Sequence, residues 1–298
     1  MNQRLLGVTY VALSATGFGA MAIFARVAYA AGVDVATMLF LRFAIAAALL
    51  AAIMLRRGRR WPRGRNLLVL LLMGGVCYVG QSFCFFSALN HASAGLTALL
   101  LYLYPAIVTL IVAVISRRRL GPARIAAVLA ALAGTALTVG GTPQGNALGV
   151  MLGIAAALIY SIYVVAGERV MGEEGALPSA TVVMLAAALV YGLSVFARGP
   201  AWPTAPEGWA AIGALALFCT VVGILGFFAG IRRLGAADAS TVSTLEPVTT
   251  ILLAALFLDE FIRPQQFLGG AIILGAVIVL VRCGVPAAPR GLAASGGE

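Results

Sequence analysis

The sequence predicts an all-α polytopic membrane protein, with ten transmembrane helices arranged as two inverted five-helix repeats. Three observations lead there. Apolar runs near or above the ~20 residues needed to cross ~30 Å of hydrocarbon recur from end to end. Arginines collect in alternate loops. The second half of the chain answers the first at a constant offset of 142 residues.

Composition sets the class. Of 298 residues, 62% are hydrophobic and 10% charged, and the mean hydropathy is +1.05. Soluble domains average about 25% charged residues, so this chain has too little polar surface to cover a water-exposed globule. The formal charge of +10 is carried by arginine, without a single lysine. Because the arginines follow the loops, the charge reads as membrane orientation and not as a polyanion site; no nucleic-acid partner is expected.

Breaks of charge, glycine and proline divide the chain into spans at 5–28, 35–55, 66–89, 94–115, 123–140, 147–168, 178–197, 208–231, 238–258 and 265–282. The first span follows Arg4 and runs into "AYAA" at 28–31, which imitates a signal peptide. Its apolar stretch exceeds a typical signal core, and the repeat requires it as a helix, so it is read as a retained span. The second span ends at the basic loop "RRGRRWPRGR" (56–65), and the fourth at "SRRRLGPAR" (116–124). The connections near 31–34, 90–93 and 141–146 contain no arginine. This alternation puts both termini in the cytoplasm of a bacterial inner (plasma) membrane. A loop is expected at 169–177, where Arg169 is offset by Glu173 and Glu174. The Pro/Ala/Gly-rich tail, 284–298, is expected to be disordered and cytoplasmic. Cys77 and Cys84 lie two turns apart, ~10 Å along a helix, too far for a disulfide. With Cys219 and Cys283 they are read as reduced packing residues.

At the offset of 142, Gly7 meets Gly149, Cys77 meets Cys219, and Phe85-Phe86 meets Phe227-Phe228. Ala94, Leu103, Pro105 and Pro122 meet Ala236, Leu245, Pro247 and Pro264, without a gap from Cys77 onward. The repeats are thus drawn as 1–141 and 142–283. Five spans per copy is odd, so the second copy enters from the opposite side. Inverted repeats of this kind suit a carrier that works by alternating access, with its site near the midplane between the copies.

The stretch "STLEPVTTILLAALFLDEFIRPQQFLGGAIILGAVIVL" (243–280) resembles the penultimate and last helices of the drug/metabolite transporter superfamily, EamA type. In the first half, "LYLYPAIVTLIVAVISRRR" (101–119) is its counterpart, with Tyr104 in place of Glu246 and arginines in place of Asp259-Glu260. The resemblance covers nearly the whole chain, and the tyrosine-rich middle is most similar to YddG-type exporters of aromatic amino acids. It implies a basket of eight helices around a central cavity, with the fifth and tenth as outer supports. It also implies a monomeric secondary transporter without cofactor, exporting amino acids (aromatic or large apolar favoured) or related amphipathic metabolites. A multidrug or organic-cation exporter of the same fold is the alternative.

Glu246 is the central candidate. It lies about seven residues into its span, ~10 Å from the cytoplasmic end, and its side chain is too short to reach either interface. Ser243, Glu246, Thr249 and Thr250 share one helical face. Pro247 donates no N–H, so the Ser243 carbonyl loses its helical partner and a kink is expected there, as at Pro105. Glu246 either binds a substrate ammonium or a proton, or is a neutral, hydrogen-bonded structural acid. Tyr104 stands at its repeat-related place. Tyr102 is ~200° away on a continuous helix, so the two are not expected to share a face. Tyr78 pairs with Gln81, and Tyr160 with Tyr163, by i,i+3 spacing. These tyrosines line a cavity or pack helices; Gln81 lines it or ties two helices together. Arg42 is deep enough to read a substrate carboxylate, but its long side chain is expected to snorkel outward. Gly17 and Gly19, in "SATGFGAMA", permit close helix packing.

No catalytic or metal site is expected. One histidine, His91, excludes a His-rich metal centre or an HExxH site. No Gly-rich phosphate loop carries the Lys-Ser/Thr needed to hold a nucleotide.

Overall fold

The computed structural model of the chain describes residues 3–115, 117, 120–139, 145–234, 239, 242–261 and 263–282. The expected repeat boundary at 141/142, Cys283 and the 284–298 tail lie outside them. Among the described residues the secondary structure is helical, joined by short turns and loops, with one isolated antiparallel bridge between Ala92 and Gly145. Eight helical stretches are long and apolar enough to cross a membrane; two shorter apolar ones, Pro122–Thr138 and Leu245–Phe257, complete ten. Leu189, Leu193, Phe196, Leu256, Phe257 and Phe267 are exposed. That is an apolar exterior suited to lipid and not to water.

Several spans are not single helices. The first is α1 (Gln3–Gly19) and α2 (Met21–Ala30), interrupted at Ala20. The second is α3 (Val35–Arg56), started by the Asp34 side chain accepting from Thr37 N at 2.7 Å. The third is α4 (Gly64–Leu72) and α5 (Val79–Ala88), joined by a π-helical stretch at Met73–Tyr78. The fourth, α6 (Ala94–Leu101) and α7 (Tyr104–Ile115), breaks at Tyr102–Leu103. Then come α8 (Pro122–Val139), α9 (Ala147–Glu174) and α10 (Ala176–Arg198). The eighth span is α11 (Pro206–Ala216) and α12 (Gly223–Leu234), again joined by a π stretch at Leu217–Val222. Last are α13 (Leu245–Phe257), preceded by a turn at Thr244, and α14 (Pro264–Arg282).

The expected loop at 169–177 is absent. Helix α9 continues to Glu174, and a single residue, Gly175 at φ +83°, turns the chain into α10. Charges there mark where the helix leaves hydrocarbon, not where it ends: 28 residues rise ~42 Å, beyond the ~30 Å apolar layer.

The packing is two-fold related. Span 1 packs on spans 8 and 9, as span 6 packs on spans 3 and 4. Spans 2 and 7, 4 and 9, and 5 and 10 pair with their own counterparts. The two π stretches occupy corresponding spans, each holding one of the paired cysteines, Cys77 and Cys219. Helices α8 and α14 pack chiefly on each other, at Gly134 and Gly269, where an added Cβ would meet facing backbone. The connections alternate between faces. Thr204 N bonds Ala31 O, Asn146 N bonds His91 O, and Glu260 reaches Ala94 on one face; Asn66 reaches Glu173 and Glu174 on the other.

Candidate functional site

The helix interruptions build the site. Because Pro247 has no N–H, the Ser243 carbonyl has no helical donor. The Tyr102 hydroxyl donates to that carbonyl at 2.7 Å and lies 3.2 Å from Glu246 Oε2. Thr250 Oγ1 lies 2.9 Å from Gly19 O and 3.1 Å from Glu246 O, tying the start of α13 to the break in span 1. Gly19 is required there, since a Cβ would come within 2.6 Å of the Glu246 carbonyl. Glu246 is thus held half-buried between spans 1 and 4.

From it a continuous row of rings crosses the interior. Centroids of Tyr102 and Tyr104 are 6.0 Å apart, Tyr104 and Tyr160 4.9 Å, and Tyr160 and Tyr163 5.8 Å. The row goes on through Tyr78, 5.4 Å from Tyr163, to Phe43 at 5.5 Å and Tyr191 at a further 5.8 Å. Five spans contribute to it. Tyr102, Phe43 and Tyr191 are buried, while Tyr78, Tyr104, Tyr160 and Tyr163 are half-buried. The row draws on both halves of the chain, with Phe43, Tyr78, Tyr102 and Tyr104 from the first and Tyr160, Tyr163 and Tyr191 from the second. Where the π stretch of span 3 ends, the Tyr78 and Val79 carbonyls accept from Ser82 Oγ and the Tyr191 hydroxyl at 2.6 and 2.8 Å, the second bond tying span 7 to this row.

Two expectations need correction. Tyr102 and Tyr104 do meet, because the helix stops at Tyr102–Leu103 and the ~200° separation of a continuous helix does not apply. Tyr102, set aside in sequence, is the residue bonded to Glu246. Arg42 does not snorkel. It is 2% exposed, with Nε donating to Thr220 Oγ1 at 2.9 Å and its guanidinium 5.1 Å from the Phe43 and Phe86 ring centres.

Gln81 is buried and hydrogen-bonds to no other described residue, so it does not tie two helices together. Ser243 engages Tyr102 through its carbonyl. Phe43, Tyr191 and Thr220 went unnoticed in sequence, and nothing local marks them. Among the described residues, no three His, Cys, Asp or Glu gather as a metal site.

One face carries an open cleft of about 760 Å³, bordered by Arg26, Asn90, His91, Asn146, Glu260 and Phe261. The Glu260 carboxylate accepts from Ala94 N and Gly95 N at 2.8 and 3.2 Å, capping α6. Arg26 lies 4.0 Å from Glu260 and donates to Ala92 O at 2.9 Å.

This architecture has known counterparts. A solved crystal structure of a protein superposes with a TM-score of 0.65 at 26% identity, covering 94% of this chain and 98% of that one. The uncharacterized transporter YcbK of Bacillus subtilis is 27% identical over 282 residues, 90% of each chain. A probable terminal-alkyne amino-acid exporter of Streptantibioticus cattleyicolor is 26% identical over 84% of this chain and 85% of its own length. The aromatic amino acid exporter YddG of Ancylobacter novellus is 28% identical over 67% and 69%. Residues 5–140 and 147–282 each match the EamA-like transporter family, one copy per half, and the chain belongs to that family.

Proposed function

We propose that this transporter exports amino acids, aromatic or large apolar ones favoured, or related amphipathic metabolites, across the inner membrane by alternating access. The observation that carries the reading is the row of tyrosines within the spans, ending on Glu246. Phenol rings offer apolar faces with polar edges, which suit a partly aromatic solute, and Glu246 offers a carboxyl group to its ammonium. In this reading Glu246, Tyr104, Tyr78, Tyr160, Tyr163, Gln81 and Ser243 line the site. Pro105 and Pro247 hold the breaks that let the two halves, 1–141 and 142–283, rock about it. The protein acts as a monomer, is not an enzyme, needs no cofactor, and keeps both termini in the cytoplasm. The similarity to two proteins named as amino-acid exporters supports the substrate class.

The test is flux in proteoliposomes loaded with a panel of amino acids and cationic dyes. Saturable counterflow of phenylalanine, tyrosine or leucine exceeding that of aspartate and glutamate is expected. Saturable dye flux without amino-acid flux replaces this reading with the organic-cation alternative.

A further inference from the structure

Arg42 lies seven residues into α3, ~10 Å below the end of its span. Its partners are a hydroxyl, two aromatic faces and the Met21 thioether, whose sulfur is 3.2 Å from one Nη. None of them bears a charge, and no carboxylate among the described residues pairs with it. Guanidinium groups stay protonated in proteins, and an enclosed charge without a counter-ion is costly. Charged groups inside membranes accordingly mark substrate pathways. The other Nη makes no hydrogen bond to a described residue, and a thioether is a weak acceptor that a carboxylate readily displaces.

The position of this cation relative to Glu246 is informative. The row of rings that begins at Tyr102, beside Glu246, reaches Phe43 beneath the guanidinium. Tyr78, within that row, is in electrostatic reach of both Arg42 and Glu246. The break in span 1 touches both as well: Gly19 O meets Thr250, one turn beyond Glu246, and Met21 meets Arg42. A fixed cation from the first half and a carboxyl from the second therefore flank one aromatic surface.

We propose that Arg42 is the carboxylate-binding subsite, so that the transported solute is a zwitterion. Its carboxylate sits on the guanidinium fork, its ammonium points toward Glu246 and its side chain lies on the tyrosines. The inference rests on the amino-acid reading above and adds to it a requirement for a free carboxylate.

Full-length protein in proteoliposomes tests it with two matched pairs of probes. L-phenylalanine and L-phenylalaninamide share ring and ammonium; 3-phenylpropanoate and 3-phenylpropanamide share the ring alone. The wild type should prefer phenylalanine to its amide tenfold or more, about 1.4 kcal/mol, and phenylpropanoate should compete tenfold better than phenylpropanamide. Arg42→Gln should lower the phenylalanine-to-amide flux ratio tenfold or more. Arg42→Lys should retain part of it, keeping the charge without the fork. An unchanged ratio, or an equal loss for both solutes, overturns the assignment in favour of a structural cation. If Arg42→Gln does not fold, the wild-type competition decides, and equal inhibition by acid and amide overturns the assignment. If the wild type moves dyes but no amino acid, the amino-acid reading fails. Selective inhibition of dye flux by phenylpropanoate then keeps the anion subsite, and its absence removes that too.

Discussion

Replacing Tyr102 by Phe removes one oxygen and leaves the ring. That oxygen donates to the Ser243 carbonyl at 2.7 Å and lies 3.2 Å from Glu246 Oε2. Pro247 has already taken away the helical donor for that carbonyl, so the substitution leaves a polar group unpaired in a partly buried position. Such a group costs ~1–3 kcal/mol, whereas interhelical hydrogen bonds in membranes average only ~0.6 and reach ~1.7 kcal/mol, because alternative partners are found. Here the proline removes the nearest alternative, which argues for the upper part of the second range, ~1–1.7 kcal/mol. Tyr104→Phe is the control. Its ring packs 6.0 Å from Tyr102 and 4.9 Å from Tyr160, but its hydroxyl bonds to no described residue. Its loss should cost almost nothing in stability. Reversible unfolding in mixed micelles, titrated with a denaturing detergent, measures both variants against wild type. A difference between them smaller than ~0.5 kcal/mol, the usual scatter of neutral substitutions, would refute the claim that Tyr102 completes the broken helix.

Glu246→Gln keeps an acceptor for Tyr102 and removes the ability to ionise. It should cut initial flux about tenfold or more, the loss of a ~1.4 kcal/mol interaction, at near-normal melting temperature. Full flux in Gln together with misfolding in Glu246→Leu would make the glutamate purely structural. Glu260→Gln weakens the cap on α6 by removing a charge shared between Ala94 N and Gly95 N, and should lower stability by ~0.5–2 kcal/mol; unfolding in micelles reads the change. Gly19→Ala sets a Cβ 2.6 Å from the Glu246 carbonyl and 2.8 Å from Thr249 Cβ. It should cost ~1–3 kcal/mol by overpacking, and flux should fall because span 1 is pushed off α13. For topology, cysteines in place of the exposed Arg59 and Asn90 should be labelled by an impermeant maleimide from the cytoplasm and from outside, respectively; the reverse pattern inverts the orientation.

Spans and repeats were legible because hydrocarbon imposes a length and because the duplicated halves keep a common spacing. Glu246-Pro247 was legible for a related reason: a short carboxyl in an apolar run has nowhere to go but inward. What escaped depended on the helix path. The 200° argument against Tyr102 was sound for an unbroken helix, and the break at Tyr102–Leu103 cancels it. The π stretches at Met73–Tyr78 and Leu217–Val222 shift the register of everything after them with no compositional mark. Arg42 was visible as a deep arginine, but its enclosure comes from Phe86 and from Thr220, 178 residues away. No local pattern announces such partners.

The site also shows where a two-fold scaffold must depart from symmetry. At the repeat offset of 142, Glu246 answers to Tyr104, Arg42 to Met184, Thr220 to Tyr78 and Met21 to Tyr163. Two identical halves would present two identical half-sites, which can recognise only a ligand that is itself symmetric or non-polar. Here every pair is unlike. Thr220 is small enough to leave room for the Arg42 guanidinium and carries the oxygen that orients it, at 2.9 Å. Its counterpart Tyr78 fills the equivalent space with a ring set between Phe43 and Tyr163. Met21 lies under the cation, while its counterpart Tyr163 extends the aromatic row. In the proposed mechanism the shared backbone would serve the exchange between two mirrored states, while the side chains give the interior a direction: basic at one end, acidic at the other, with aromatic rings between. On that proposal a solute with two unlike ends would bind in a single orientation while the scaffold around it stays interchangeable.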